Sequence, residues 1–295
     1  MLDKYRDPRS GKPVDPATGA RPLSEWIREA PSSGFAIHPD GFLIFLSPEE
    51  IVALDEYSGS DPYSVEENLS GGFHQMRIKT TVQLVELAAS ESLVPVRVLD
   101  VGSGEGHITE YLRALPQVAE AVGLDGSVSA VESGKKRYPN LDLLVGDAFN
   151  IPFVDGYFDI VVLNNIWEHV PDPLRMLAEI KRICREGGHL VVSTPSRYRT
   201  INLARVLCGR DVTFMSSKHV TEYTVGQVKE QLRYGGFDLE EVVSRPVDLG
   251  SFKANAVRNV FRIVAKAIRS HHSIDPTVFY LARNARLSGT EPASP

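Results

Sequence analysis

The chain has 295 residues, of which 42% are hydrophobic and 24% charged, enough for a sizeable core in one large domain or one domain with appendages. Its net charge of −6 gives no overall pull toward nucleic acid. Its two cysteines, Cys184 and Cys208, stand in no metal-like spacing, which excludes a disulfide framework and fits a reducing compartment. The opening Met1-Leu2-Asp3-Lys4-Tyr5-Arg6-Asp7-Pro8 lacks the apolar core of a signal peptide, and no apolar run is long enough to span a bilayer. The expectation is a soluble, cytoplasmic protein.

In chain order, residues 1–74 are rich in Pro, Gly, Ser and Asp and read as an N-terminal extension or cap. Within it, Phe35-Ala36-Ile37, the turn His38-Pro39-Asp40-Gly41 and the apolar Phe42–Leu46 predict a β-hairpin. From residue 75 the pattern alternates. Helices are predicted over 75–89, 106–115, 127–138 and 173–185, and strands over 96–101, 120–125, 141–145, 158–163 and 189–194. Units of about 20 to 25 residues suit a parallel sheet with right-handed crossovers, an α/β architecture of the Rossmann-like kind. A connection over 195–225 reads as a lid and is followed by a helix over 225–234. A basic amphipathic helix over 254–270 and a last strand at 278–282 complete a domain over 75–285, and 286–295 form a polar tail.

In such sheets ligands bind outside the carboxyl ends of the strands, so the informative residues stand just after each strand. The first strand ends in Asp100, followed by Val101-Gly102-Ser103-Gly104-Glu105-Gly106 and a helix start. Glycines let a ligand approach the main chain, and the first helical amides point free N–H groups toward it. Asp125 closes the second strand, where a carboxylate can accept both hydroxyls of a ribose; the blander reading makes it, or Ser127, a helix cap. The third strand ends in Gly146-Asp147-Ala148-Phe149, an acid and an aromatic suited to a purine, although a Phe in such a loop also serves as core. The fourth runs into Asn164-Asn165-Ile166-Trp167-Glu168-His169.

These pieces, in this order over about 96–245, resemble the class I S-adenosylmethionine-dependent methyltransferases of the small-molecule, natural-product or glycan type. The matching stretches are VLDVGSGEGHIT, GLDGS, GDAFNIPFVDGYFDIVVLNNIWEHVPDP and the run from Leu177 to Pro195 with its Gly187-Gly188 turn. The resemblance implies a seven-stranded, mostly parallel sheet whose last strand is reversed, supplied by 278–282. It implies S-adenosyl-L-methionine as cofactor, with Asp100, Gly102, Ser103, Gly104 and Glu105 around its methionine part. Asp125 and Gly126 then fall at the ribose, Asp147, Ala148 and Phe149 at the adenine, Asn164 and Asn165 beneath the sulfonium, and Arg77 at the carboxylate.

For the acceptor side, His219 stands in Ser216-Ser217-Lys218-His219-Val220-Thr221-Glu222-Tyr223-Thr224, similar to a lid motif of methyltransferases from natural-product and glycan clusters. An imidazole there suits the removal of a hydroxyl proton near neutral pH. The competing reading has Thr224 capping the next helix while His219 merely packs. His169 is the second catalytic candidate. Ubiquinone-type O-methyltransferases hold a divalent metal in a similar Glu-x-x-Glu-His cluster, but Asn165 replaces the first acid here. No metal is therefore expected, and Glu168 with His169 reads as a pair that orders the loop. His38, Tyr57 and Tyr63 are further candidates for the acceptor pocket. On the basic helix, Val257, Val260, Phe261, Val264 and Ile268 form one face, with Arg258, Arg262, Lys266 and Arg269 on another. That face reads as a solvated flank, or as a site for an anionic acceptor or an anionic surface at 258–269. The expected function is methyl transfer to a small-molecule acceptor at oxygen, as in natural-product or sugar tailoring. N-methylation, RNA or tRNA methylation, cofactor binding without transfer and a nicotinamide oxidoreductase are the alternatives. The acidic balance, and the lack of an Asn/Asp-Pro-Pro-Tyr element, count against a nucleic-acid partner.

Overall fold

The structure, a computed structural model, describes residues 3–14, 20–29, 33–54, 71–247, 250–267 and 273–285. Tyr57, Tyr63, Ile268, Arg269 and the tail 286–295 lie outside the described residues. The first section holds β1 (Ala20–Pro22), α1 (Leu23–Glu29), β2 (Phe35–Ile37), β3 (Leu43–Ile44) and α2 (Pro48–Leu54). The expected hairpin forms, with β2 antiparallel to β3 and Gly41 N–H donating to the His38 carbonyl at 2.8 Å across the turn. This section is fused to the rest of the molecule. Ile44 of β3 pairs in parallel with Val145, and the fully buried Trp26 of α1 packs with Phe42, Ile44, Val131 and Val145 while its indole N–H donates to the Leu46 carbonyl at 2.8 Å.

The following elements are α3 (Gly72–Ala89), β4 (Val96–Val101), α4 (His107–Arg113), β5 (Val118–Asp125), α5 (Val128–Arg137), β6 (Asp142–Val145), β7 (Phe158–Asn164), α6 (Pro173–Ile183) and β8 (Cys184–Pro195). Then come α7 (Thr200–Leu207), α8 (Val225–Tyr234), β9 (Phe237–Ser244), α9 (Phe252–Ala267) and β10 (Thr277–Asn284). The strands form one ten-stranded sheet in the order β1-β2-β3-β6-β5-β4-β7-β8-β10-β9. Strands β3, β6, β5, β4, β7 and β8 run parallel, and β10 lies antiparallel between β8 and β9. The reversed last strand is in its expected place. The seven strands implied by the resemblance, β4 to β10, are extended by three at the β6 edge. Strand β8 begins at Cys184, earlier than expected, because Gly188 lets the chain run close to its neighbour; a Cβ there would lie 2.7 Å from the Asp159 carbonyl oxygen.

Helices cover both faces of the central strands. Accordingly Val98, Leu99, Val101, Val161, Val162 and Leu163 are fully buried and read as near-continuous apolar runs, as a parallel sheet requires. The chain winds from β4 outward through β5 and β6, then returns to β7 and β8 on the other side. The crevice at the carboxyl ends of β4 and β7 is therefore the switch point at which such sheets bind ligands.

One expectation is overturned. Of the basic stripe, Arg258 is buried and donates to the Val247 carbonyl, and the half-buried Arg262 reaches Asp275 at 3.0 Å, so only Lys266 stands fully exposed among its described residues. The apolar Val257, Val260 and Val264 face outward instead. The Val247 carbonyl and the buried Asp275 carboxylate each take a charge-assisted hydrogen bond from these arginines. Among the described residues, no helix is long and apolar enough to cross a membrane.

Candidate active site

The loop after β4 is shaped by glycine. Gly102, Gly104 and Gly106 all take positive φ, and Gly106 is the left-handed N-cap of α4. At Gly102 a side chain is excluded twice over: φ is +72°, and a Cβ would stand 2.9 Å from Ile166 Cδ1. Asp125 fastens this loop to the next one. Its Oδ2 accepts the Gly104 N–H at 2.7 Å and its Oδ1 the Ser127 N–H at 2.9 Å. Ser127, not Asp125, caps α5, by accepting from the Ala130 N–H.

Together these loops enclose a cavity of about 290 Å³ at the switch point. Asp100, Gly102, Ser103, Gly104, Glu105, Asp125, Gly126, Asp147, Ala148, Phe149, Asn164, Asn165 and Arg77 all line it, as does His169. His219 and His38 are not part of its lining. The reading from sequence passed over His107, Ile166 and Leu54, which also line it. Leu54 brings α2 to the wall, 3.3 Å from where a Gly126 Cβ would stand.

Several buried polar atoms along the wall have no hydrogen-bond partner among the described residues. Asp100 accepts from Thr109 Oγ1 at 2.7 Å through Oδ2, whereas its Oδ1 is unpartnered. Asn164 Oδ1 accepts from Thr81 and Ser193 at 2.9 and 3.0 Å, leaving its Nδ2 unpartnered. Arg77 Nε, His74 Nε2 and Ser103 Oγ share that condition. Burial pushes the Asp100 carboxyl up to about 7, against the Thr109 hydrogen bond and the charge of Arg77. Burial likewise raises Asp147, whose Oδ1 accepts the Phe149 N–H at 2.9 Å, and lowers His74 to about 4. A ligand with cationic groups, ribose hydroxyls and a purine would meet its complement here: carboxylates at the ends of β4, β5 and β6, an amide at the end of β7, and Phe149 beside the third acid.

Beyond Asn164 the wall turns sharply. Asn165 is the one non-glycine at positive φ among the described residues, a conformation that Asn tolerates. Its side chain joins Ser193 Oγ at 3.0 Å to Glu168 Oε1 at 2.9 Å. Glu168 is completely buried, also accepts from Thr194 Oγ1 at 3.1 Å, and is raised by burial. Its carbonyl accepts the Val220 and Thr221 amides, so it ties the lid to the sheet. His219, on that lid, packs edge-to-face on His169 with ring centroids 4.9 Å apart. Its Nδ1 meets Glu222 Oε1 at 2.9 Å. Burial alone would raise the wholly buried Glu222, but hydrogen bonds from His219, the Met215 amide and Arg199 hold it below the usual carboxylate range. Thr224 caps α8 in a full capping box with Gln227, so the helix-start motif and the His219–Glu222 pair coexist. Ligand-capable atoms of Glu168, His169 and His219 lie within 4.8 Å of one another.

Residues 99–192 match the family described as methyltransferase domain. The chain is 40% identical over 98 residues to the demethylmenaquinone methyltransferase of Renibacterium salmoninarum, covering 33% of this chain and 40% of that one. It is 27% identical over 194 residues to the malonyl-[acyl-carrier protein] O-methyltransferase of Methylococcus capsulatus, covering 61% and 69%. It spans about half or less of the length of several curated relatives, demethylmenaquinone methyltransferases among them. Its fold superposes, with a TM-score of 0.52 and 21% identity over 72% of this chain and 95% of the other, on a chain of the complex between the Haloferax volcanii Trm112 methyltransferase activator and a methyltransferase. Residues 99–192 are thus similar to a methyltransferase domain, and the sheet and glycine loop around them have the arrangement of the class I S-adenosylmethionine-dependent kind.

Proposed function

We propose that the protein transfers a methyl group to a hydroxyl oxygen of a small-molecule acceptor, with the His169–His219 cluster taking the hydroxyl proton. S-adenosylmethionine, when bound, supplies an activated methyl group on a cationic sulfur. Asp100 Oδ1 and the side chain of Glu105 receive the cationic methionine end, Arg77 its carboxylate, Asp125 the ribose and Asp147 with Phe149 the adenine. Asn164 and Asn165 form the floor at the junction with the acceptor.

The observation that carries the choice of oxygen is a cluster of two imidazoles and two buried carboxylates that reaches the cavity through His169. A hydroxyl acceptor needs a base, whereas many amines do not. His169, at the wall, receives the proton. The carboxylate of Glu222 fixes His219 through Nδ1, and Glu168 lies within reach of both rings, so a positive charge on this cluster is offset by adjacent negative ones. The relatives that match include both a quinone methyltransferase and an O-methyltransferase, which supports small acceptors as the class.

The test is a panel of hydroxylated aromatics, sugars, quinols and amines incubated with methyl-labelled S-adenosylmethionine. Label in alkali-stable ethers, lost in His169→Ala with cofactor affinity retained, is the expected result. Label confined to amines, or full turnover in His169→Ala, refutes the assignment.

A further inference from the structure

Helix α9 carries its arginines inward and its apolar side chains outward. Phe252, Val257, Val260, Ile263 and Val264 are exposed, Phe252 to 90% and Ile263 to 69%. At 3.6 residues per turn they fill, with Ala256 and Ala267, an arc of about 140°. Lys253 lies within that arc in the first turn and Lys266 flanks it in the last; both are exposed, and the helix contains no acidic residue. Neighbouring α7, which packs against α9, exposes Ile201, Val206 and Leu207 as well. A helix selected for water alone would show its charges and hide its valines.

We propose that α9 docks on an anionic lipid bilayer, lying in the headgroup region with Val257, Val260, Ile263 and Val264 immersed and both lysines at phosphate level. An apolar face with lysines at its two ends is the pattern of an interfacial helix, and the lysines have no acid on the helix to neutralise them. A second copy of this chain suits the face less well. Antiparallel pairing through α9 would set Lys253 against Lys266. A helix of 16 residues, about 24 Å long, would bury roughly 300 Å² per copy, well short of the roughly 800 Å² of a stable interface. The docking stands on this surface alone and is independent of how the cavity is read.

Vesicle co-sedimentation of the full chain tests it, comparing pure phosphatidylcholine with vesicles containing roughly 30% phosphatidylglycerol. The protein is expected to sediment with the anionic vesicles. Lys253→Gln with Lys266→Gln should lower partitioning about fivefold per lysine. Val260→Asp with Ile263→Asp, at exposed positions, should lower it more than about tenfold with an unchanged circular dichroism spectrum. Wild-type protein that stays in the supernatant with both vesicles overturns the proposal. So does an aspartate variant that sediments like wild type, or a solution dimer that this variant dissolves while vesicle binding persists.

Discussion

Asp100→Asn is expected to make the empty protein more stable and the cofactor site worse. The Asp100 carboxyl is 1% exposed, and burial raises it from an ordinary 3.8 to about 7. Between these two values the folded state holds a proton that the unfolded state has released, so folding stability falls as pH rises through that window. At about 1.4 kcal/mol per pH unit, the loss accumulates to about 4 kcal/mol above pH 7. Asparagine carries no such burden and can still accept from Thr109 Oγ1 through its carbonyl. The difference in stability between variant and wild type should therefore be near zero at pH 4, grow through pH 5 and 6, and level off above 7. At about 2 °C per kcal/mol for a chain of this size, the ligand-free variant should melt up to about 8 °C higher at pH 8. S-adenosylmethionine affinity should move the other way, falling about tenfold to a hundredfold as a charged acceptor is lost. Differential scanning calorimetry across pH and isothermal titration at pH 8 read both quantities. A variant that melts no higher than wild type at pH 8, or a gain that does not shrink toward pH 4, refutes the argument that this buried carboxylate is maintained for a cationic ligand.

Asp125→Ala removes the acceptor of the Gly104 and Ser127 amides as well as the proposed ribose contact, and should weaken cofactor binding by about 1 to 3 kcal/mol by titration calorimetry. Gly102→Ala should cost about 1 to 3 kcal/mol of stability from its positive φ alone, with further loss of cofactor affinity as Ile166 is displaced; an unchanged melt would mean that the loop tolerates a side chain. Glu222→Gln should lower kcat about tenfold or more while leaving the cofactor Kd unchanged, because Glu222 holds His219 and does not line the cavity; equal effects on both would assign it a purely structural role. Trp26→Phe leaves the Leu46 carbonyl without its donor and should cost about 2 kcal/mol in one cooperative transition shared by the first section and the 75–285 domain; a separate early transition would divide the two.

The parts of the fold that were legible in the sequence are those in which local pattern and tertiary role agree. Runs such as Ile160–Leu163 are apolar at every position because both faces of the sheet are covered, and the boundaries of β4 and β7 fall within a residue or two of those expected. Capping chemistry was equally readable at Ser127 and Thr224. The β2–β3 hairpin was readable from its Asp-Gly turn, but β1, three residues long, and the parallel pairing of β3 with the open edge of β6 were not, because that edge and not periodicity fixes them. Apart from Arg77 on α3, the cavity residues could be located because they stand at or just after a strand end, a position set by topology. Their partners could not: Ser193 and Thr81 converge on Asn164 from elements far apart in the chain, and Glu222 reads as an ordinary lid acid until Arg199 and His219 close on it. The α9 reversal shows the limit most clearly. Periodicity finds the two faces of a helix but cannot say which one turns inward, because that depends on whether the protein offers buried acceptors. Here Asp275 and the Val247 carbonyl draw Arg262 and Arg258 in, and the valines are left outside as a consequence. The same two acceptors therefore determine what the outer surface can bind. Replacing Asp275 would release Arg262 and weaken the hold that keeps the apolar face turned outward, with no change to any residue on that face.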